Sequence, residues 1–333
     1  MTMETMTILV TGGTGYIGSH ACVELLEAGY EVVVVDNLEN SRVEVLDRVH
    51  RITGHEISFH QADVRDRDAM RAVFSAHSVT GVLHFAGLKV AGESLSTPLS
   101  YYDANVGGSI ALAEVMGEFG VRTLVFSSSA AVYGEPERVP VTEAAPLKRA
   151  AHPYGRTKQM VESVLADLQV AEPAWRIALL RYFNPVGAHP SGLIGEDPRV
   201  PPTNLMPVVA EAAAGERTDV MVHGDDYPTP DGTGIRDFIH VVDLARAHVA
   251  ALEYLQGLEG GEVQTLNLGT GHGYSVLEML AAFERASGRT IRWTRAPRRQ
   301  GDVAVSYADP SRAEAVLGWR AELGLAAMCQ DAW

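Results

Sequence analysis

The chain has 333 residues, 46% hydrophobic and 21% charged, with 27 Lys and Arg against 42 Asp and Glu and a formal net charge of −15. That length allows one large or two modest domains, and the acidic surplus argues against a nucleic-acid partner. No apolar run approaches the roughly 20 residues of a membrane helix, residues 1–7 lack the basic start and apolar core of a signal peptide, and two cysteines, Cys22 and Cys329, are too few for a disulfide framework. A cytoplasmic protein with no membrane partner is expected.

The first half alternates short apolar runs with amphipathic segments. Residues 7–10 read as a buried strand, followed by glycines and a helix over 16–28; residues 31–36 are a second strand built on the β-branched run Val32 to Val35. The strand signal repeats at 57–60, 82–85, 124–127 and 177–180. Helical patterns fill 66–76, 100–119 and 154–170. Continuous apolar strands separated by helices predict a Rossmann-like, doubly wound parallel sheet covered on both faces. After Arg181 the character changes. Residues 184–202 and 224–234 are rich in Gly and Pro and read as functional loops. Helices near 204–214, 243–255 and 275–286 with short strands predict a smaller C-terminal α/β substrate-binding lobe. We assign 1–183 plus about 238–269 to a dinucleotide-binding domain, and about 184–237 with 270–333 to the substrate lobe. The abrupt end at Trp333 suggests that a further stretch follows it.

Gly12-x-x-Gly15-x-x-Gly18 follows the first strand and opens the first helix. Missing side chains let the backbone turn tightly and approach a pyrophosphate, which then meets the free N–H groups of the helix start. Asp36 ends the second strand, where a carboxylate can accept both ribose hydroxyls and would repel a 2′-phosphate, favouring NAD over NADP. Asp63 and Val64, after the third strand, are placed to meet an adenine, with a plain turn aspartate as the alternative.

Tyr154 and Lys158 form the second constellation. Spaced i, i+4, they stack on one helix face. An ammonium beside the phenol is expected to hold the tyrosine below its free pKa of about 10, making it usable as a base near neutral pH. With 11 Tyr and three Lys (Lys89, Lys148, Lys158) in 333 residues, this spacing arises by chance roughly 0.1 times, so context must decide against an ordinary exposed helix face.

Together the glycine triplet and Tyr154-x-x-x-Lys158 resemble the extended short-chain dehydrogenases/reductases. The resemblance narrows to the UDP-glucose 4-epimerase family through His84-Phe85-Ala86-Gly87-Leu88-Lys89, Phe126-Ser127-Ser128-Ser129-Ala130, Val132-Tyr133-Gly134, Arg181 to His189 and Gly232 to His240. It covers nearly the whole chain. The implied reaction inverts carbon 4 of the hexose in a UDP-sugar. A non-acidic C–H cannot be deprotonated at neutral pH, so NAD removes hydride while a base takes the hydroxyl proton. The ketone then turns and receives hydride on its other face, which requires a captive cofactor.

By that resemblance Tyr154 is the base, Lys158 its electrostatic partner, and Ser129 a hydroxyl that positions the proton; the residues alone do not say which of three consecutive serines acts. Cofactor contacts extend to Tyr16, Ile17, Asn37, Asn40, Ser41, Phe85, Ala86, Gly87, Lys89, Asn105, Ser127, Tyr182 and Phe183. Substrate contacts are Lys89, Ser129, Ala130, Tyr154, Phe183, Asn184, Asn204, Leu205, Met221, Val222, His223, Arg236, Arg299, Asp302 and Ser306, with the two arginines on phosphate and the backbone of 221–223 on uracil. No metal is implied. Three positions depart from many relatives. Ala104 stands where some relatives have a second asparagine, Ala131 where they often have a hydroxyl residue, and Ser306 where some carry a bulky Tyr and others a small residue; the resemblance to the latter implies room for N-acetylated sugars. Related folds house 4,6-dehydratases and decarboxylases, but Ala130 and Ala131 supply no carboxylate for dehydration. A plain dehydrogenase would exchange its cofactor, and a non-catalytic NAD sensor would lack part of the Ser/Tyr/Lys set. A homodimer and a place in galactose metabolism are implied by the resemblance alone.

Overall fold

A run of β-branched residues flanked by helix-forming segments is best accommodated as a strand buried on both faces, and the first half of the chain repeats that arrangement. The computed structural model describes residues 6–199, 201–299 and 301–333. It places β1 (Thr7–Thr11), α1 (Tyr16–Glu27), β2 (Glu31–Asp36), α2 (Val45–Thr53), β3 (Ser58–Gln61), α3 (Arg67–Ala76) and β4 (Val79–His84) in chain order. Two short helices, α4 (Ala91–Ser96) and α5 (Pro98–Tyr101), lead through a π-helical turn at Tyr102–Gly107 into α6 (Gly108–Glu118), β5 (Thr123–Ser127), α7 (Pro153–Ala171) and β6 (Arg176–Tyr182). The second part carries β7 (Asn184–Val186), α8 (Leu205–Ala214), β8 (Val220–His223), β9 (Ile235–Arg236), β10 (Phe238–His240), α9 (Val241–Gln256) and β11 (Glu262–Leu268). It closes with β12 (Tyr274–Ser275), α10 (Val276–Ser287), β13 (Trp293–Ala296), β14 (Val305–Ser306), α11 (Ser311–Leu317) and α12 (Leu325–Ala332).

The main sheet runs β11-β6-β5-β4-β1-β2-β3, every pair parallel. The chain winds outward from β1 in one direction and then from β4 in the other. The crevice above their carboxyl ends is therefore the place where an open α/β sheet takes a ligand. Period-2 alternation divides the core. Ile8, Val10, Val32 and Val34 pack with Leu25 and Leu26 of α1 and Leu244 and Leu252 of α9. Leu9, Val33 and Val35 pack with Met70 and Phe74 of α3, Leu112 and Met116 of α6 and Leu165 of α7. A separate cluster beyond the sheet joins Val209, Val222, Phe238, Met279, Phe283 and Met328. Each fully buried Leu, Val or Phe contributes about 1.5–3 kcal/mol.

Two features differ from the expected pattern. The continuous helix expected over 100–119 is broken by the π turn, whose wider winding turns the buried Asn105 toward Leu88. Helices α2, α4, α11 and α12 were not anticipated, each being nine residues or shorter and too short to show a clear apolar period; α2 nevertheless buries Leu46 and Val49. Both cysteines are buried and unbridged. No described helix is long and apolar enough to cross a membrane.

Candidate active site

The glycine turn is built by exclusion of side chains. Gly12 has φ 72°, and a Cβ there would lie 2.7 Å from Ala86 N; a Cβ on Gly18 would overlap the carbonyl oxygen of Gly12. Larger residues would thus push β1 from the β4 loop or lift α1 off the turn. Gly15 at the N-cap offers no side-chain acceptor, and no acidic residue occupies the first turn of α1. The leading N–H groups therefore remain available for an anion.

Asp36, 8% exposed, is fixed from both sides: its Oδ1 accepts from Leu38 N (2.9 Å) and Ser41 Oγ (3.1 Å), and its Oδ2 from Thr14 N (3.2 Å). The last oxygen keeps a lone pair for a ribose hydroxyl. Asp63 lines the same cleft, but Arg65 N, Nε and Nη2 and Asn37 Nδ2 occupy its carboxylate at 2.6–3.2 Å. These bonds, from Arg65 above all, hold its pKa down to about 2. An adenine amine would have to displace Asn37 to reach it.

The cleft has a volume of about 310 Å³ and runs from Asp36 and Asp63 past the glycine turn to Ser127, Tyr154, Lys158 and Tyr182. Tyr16, Ile17, Asn40, Ser41, Val64, Phe85, Ala86, Gly87 and Lys89 line it as expected. Asn105 and Phe183 are not among its lining residues. Asn105 clamps the wall from behind, accepting from Leu88 N (2.7 Å) and donating to Leu88 O (3.0 Å) and Thr157 Oγ1 (3.0 Å). Phe183 packs with Val132, Tyr133, Val141 and Ala308.

Pro153 at N1 and His152, whose Nδ1 accepts from Gly155 N at 3.1 Å, start α7 and set Tyr154 on its first turn. Tyr154 and Lys158 share one face, as their spacing requires. The expected acidification of the phenol by that lysine is not found. Lys158 Nζ donates to Ser127 O (2.7 Å) and lies 6.0 Å from the centroid of the Tyr154 ring. Burial, the largest influence, pushes the Tyr154 pKa up, and a hydrogen bond with Ser129 opposes it. Burial also draws Lys158 down to about 8, against the pull of Glu162. Desolvation outweighs pairing because both groups lie under the sheet edge, Lys158 6% and Tyr154 9% exposed.

The three serines separate. Ser127 lines the cleft, and its buried Oγ lies against the Tyr182 phenol, whose pKa it draws down against the effect of burial. Ser128 donates to Glu162 Oε1 (2.5 Å), which with Oε2 holds Arg181 in a buried ion pair. Ser129 Oγ accepts from Ala131 N (3.2 Å), so its turn role is present alongside its approach to Tyr154.

The remaining substrate candidates form two groups, one beyond the cleft around Arg236 and one at its rim where Asn204 meets Lys89 and Glu196. Arg236, Arg299, Asp302 and Ser306 come together: Ser306 is the register partner of Arg236, Arg299 Nε donates to Asp302 Oδ2 (2.9 Å), and Arg236 Nη2 is 3.9 Å from Asp302 Oδ1. Burial pulls the Arg236 pKa below its ordinary value, and the guanidinium is only loosely paired with Asp302 while its Nη1 donates to Ile235 O (2.9 Å). Asn204 Nδ2 and Lys89 Nζ both donate to Glu196 Oε1 at 3.1 Å, and Asn204 makes no cap bond to α8. Leu205 begins α8; Met221 is exposed on β8, Val222 is buried, and His223 lies beside Pro297 O at 3.2 Å. Asn184 is exposed and Ala130 half-buried. Arg42, Arg48, Glu196, Asp197 and Pro198 also line the cleft. They were missed individually, although the Gly- and Pro-rich loop carrying the last three was recognised.

The family model for the NAD dependent epimerase/dehydratase family matches residues 8–269. The chain belongs to that family. It is 56% identical over 328 residues to UDP-glucose 4-epimerase from Bacillus subtilis (strain 168), covering 98% of this chain and 96% of the relative. UDP-glucose 4-epimerase from Bifidobacterium longum, solved in complex with NAD+ and UDP, is 50% identical with a TM-score of 0.95, covering 98% of this chain and 97% of that one. The enzyme from Stenotrophomonas maltophila, solved with bound NAD and formylated UDP-arabinopyranose, is 55% identical with a TM-score of 0.96 over the same shares.

The cleft fits a dinucleotide on its own geometry. A side-chain-free turn meets free helix N–H groups, an anchored carboxylate lies one strand away, and the buried Ser127 Oγ beside the Tyr182 phenol gives the far end polar character.

Proposed function

We propose that this chain interconverts UDP-glucose and UDP-galactose by inverting carbon 4 of the hexose around a retained NAD. The observation that carries the reading is the placement of Tyr154 and Lys158 on one α7 face at the end of a dinucleotide-shaped cleft. When bound, NAD supplies the hydride acceptor and a positive ring charge. Tyr154 takes the C4 hydroxyl proton, and Ser129 hydrogen-bonds that oxygen. Lys158, fixed by Ser127 O, orients the nicotinamide ribose, and the positive ring charge of the bound cofactor would favour the phenolate that burial alone disfavours. Arg236 and Arg299 hold the diphosphate, and Asn184, Asn204 and the backbone of 221–223 fix the nucleotide while the sugar turns. Once the ketosugar has turned, the hydride would return to the opposite face of carbon 4 while Tyr154 gives the proton back to the C4 oxygen.

Residues 1–183 with 238–269 serve as the NAD-binding unit, and the remainder as the UDP-sugar lobe. Ser306 leaves space for UDP-GlcNAc and UDP-GalNAc. The enzyme acts in galactose metabolism in the cytoplasm as a homodimer. Purified protein should release about one NAD(H) per chain on denaturation and convert UDP-galactose to UDP-glucose without added cofactor. Absence of both would refute the reading.

A further inference from the structure

Residues 193–199 cross the mouth of the cleft between β7 and α8. Ile194 anchors one end in the sheet core at 3% exposure, and Gly195, Glu196, Asp197 and Pro198 line the cavity. The segment is tied to helix α2 at one point and to the loop after Asp36 at three. Arg48 Nη1 donates to Leu193 O (3.3 Å), Arg42 Nε faces Asp197 Oδ2 (3.6 Å), Arg199 N donates to Asn40 Oδ1 (3.2 Å), and Arg199 Nη1 donates to Leu38 O (2.9 Å). A fifth tie joins Glu196 to Lys89 on the opposite wall (3.1 Å).

We propose that residues 193–199 are a retaining strap, and that Arg42, Arg48, Asp197 and Arg199 determine how slowly the dinucleotide leaves. The inference rests on the epimerase reading. Nothing in the glycine turn closes the cleft from outside: it would meet a pyrophosphate through backbone on one side only. The strap spans the other side, joining the loop that holds the adenosine ribose to the wall that holds Lys89. Inversion at carbon 4 removes a hydride and must return the same hydride, so a cofactor that leaves between the two transfers ends the reaction as an oxidation. The strap residues thereby separate an epimerase from a dehydrogenase built on the same Tyr and Lys.

With the strap cut and oxidised NAD supplied, each turnover would remove one hydride and one hydroxyl proton from the C4 carbinol. One UDP-4-ketohexose and one reduced dinucleotide would leave, with the proton passing to solvent. The test uses Arg42→Asp, Asp197→Arg and the two combined; both side chains are more than half exposed, so folding is not at stake. Dinucleotide remaining after timed gel filtration is measured on denatured protein. Each single reversal should speed release about tenfold, the factor that 1.4 kcal/mol produces, and the double reversal should restore retention. The single variants given UDP-galactose and free NAD should accumulate reduced dinucleotide and ketosugar one to one. Release at the wild-type rate in both single variants, or no recovery in the double, would overturn the strap while leaving the epimerase reading intact. Wild-type protein that holds no dinucleotide would overturn both.

Discussion

At the scale of single residues, desolvation governs the catalytic pair. Tyr154→Phe removes only the hydroxyl; we expect kcat to fall by about 10²–10⁴-fold with NAD content unchanged, read from steady-state turnover and cofactor assay of the same sample. Lys158 carries a charge the fold disfavours. Its folded pKa of about 8 is below the unfolded value, so the unfolded chain binds the proton more tightly between those two values. The burial penalty is therefore fully present below pH 8 and disappears as pH rises through 8 toward about 10.5. Lys158→Met should inactivate the enzyme yet stabilise the cofactor-free protein at pH 7 by a few kcal/mol at most, read as a higher Tm. That advantage should shrink above pH 8. A Tm difference constant from pH 7 to 10 would contradict the assignment of a charged, desolvated amine.

At the scale of elements, the π turn and α7 act together through Asn105, which ties Leu88 to Thr157. Thr157 in turn donates to Tyr154 O (2.7 Å), so the cofactor wall and the catalytic turn share one side chain. Asn105→Ala would leave the Leu88 backbone groups unpaired at about 1–3 kcal/mol. We expect a lower Tm and weaker cofactor retention, with less effect on kcat in the fraction that stays loaded. The strands and long helices of the first half were legible because their apolar periods are long and bounded by turn residues. The glycine turn, Asp36, Tyr154 and Lys158 were legible because each sits at a fixed offset from a strand end or within one helix. Glu196, Asp197 and Arg42 were not: their meaning comes from contacts between segments more than about 100 residues apart, which no local pattern encodes. The sign of the Tyr154 shift was unreadable for a related reason, since burial depends on the whole sheet edge.

At the scale of the molecule, helices α4, α5 and α7 pack against one another and leave Leu99 81%, Leu95 51% and Met160 46% exposed. Large apolar side chains grouped on adjoining helices mark an association surface. The proposed homodimer would cover this face, and a stable dimer buries about 1,200–2,000 Å². Introducing Leu99→Glu with Met160→Glu places two carboxylates in that contact, where burial without partners is costly. Light scattering should then report half the wild-type mass at equal concentration. Because Tyr154 and Lys158 ride on α7 while both substituted side chains face solvent in the isolated chain, the cleft itself should persist, and the variant should still hold NAD. A wild-type mass equal to one chain would remove the homodimer, and an unchanged mass in the variant would move the contact to another face.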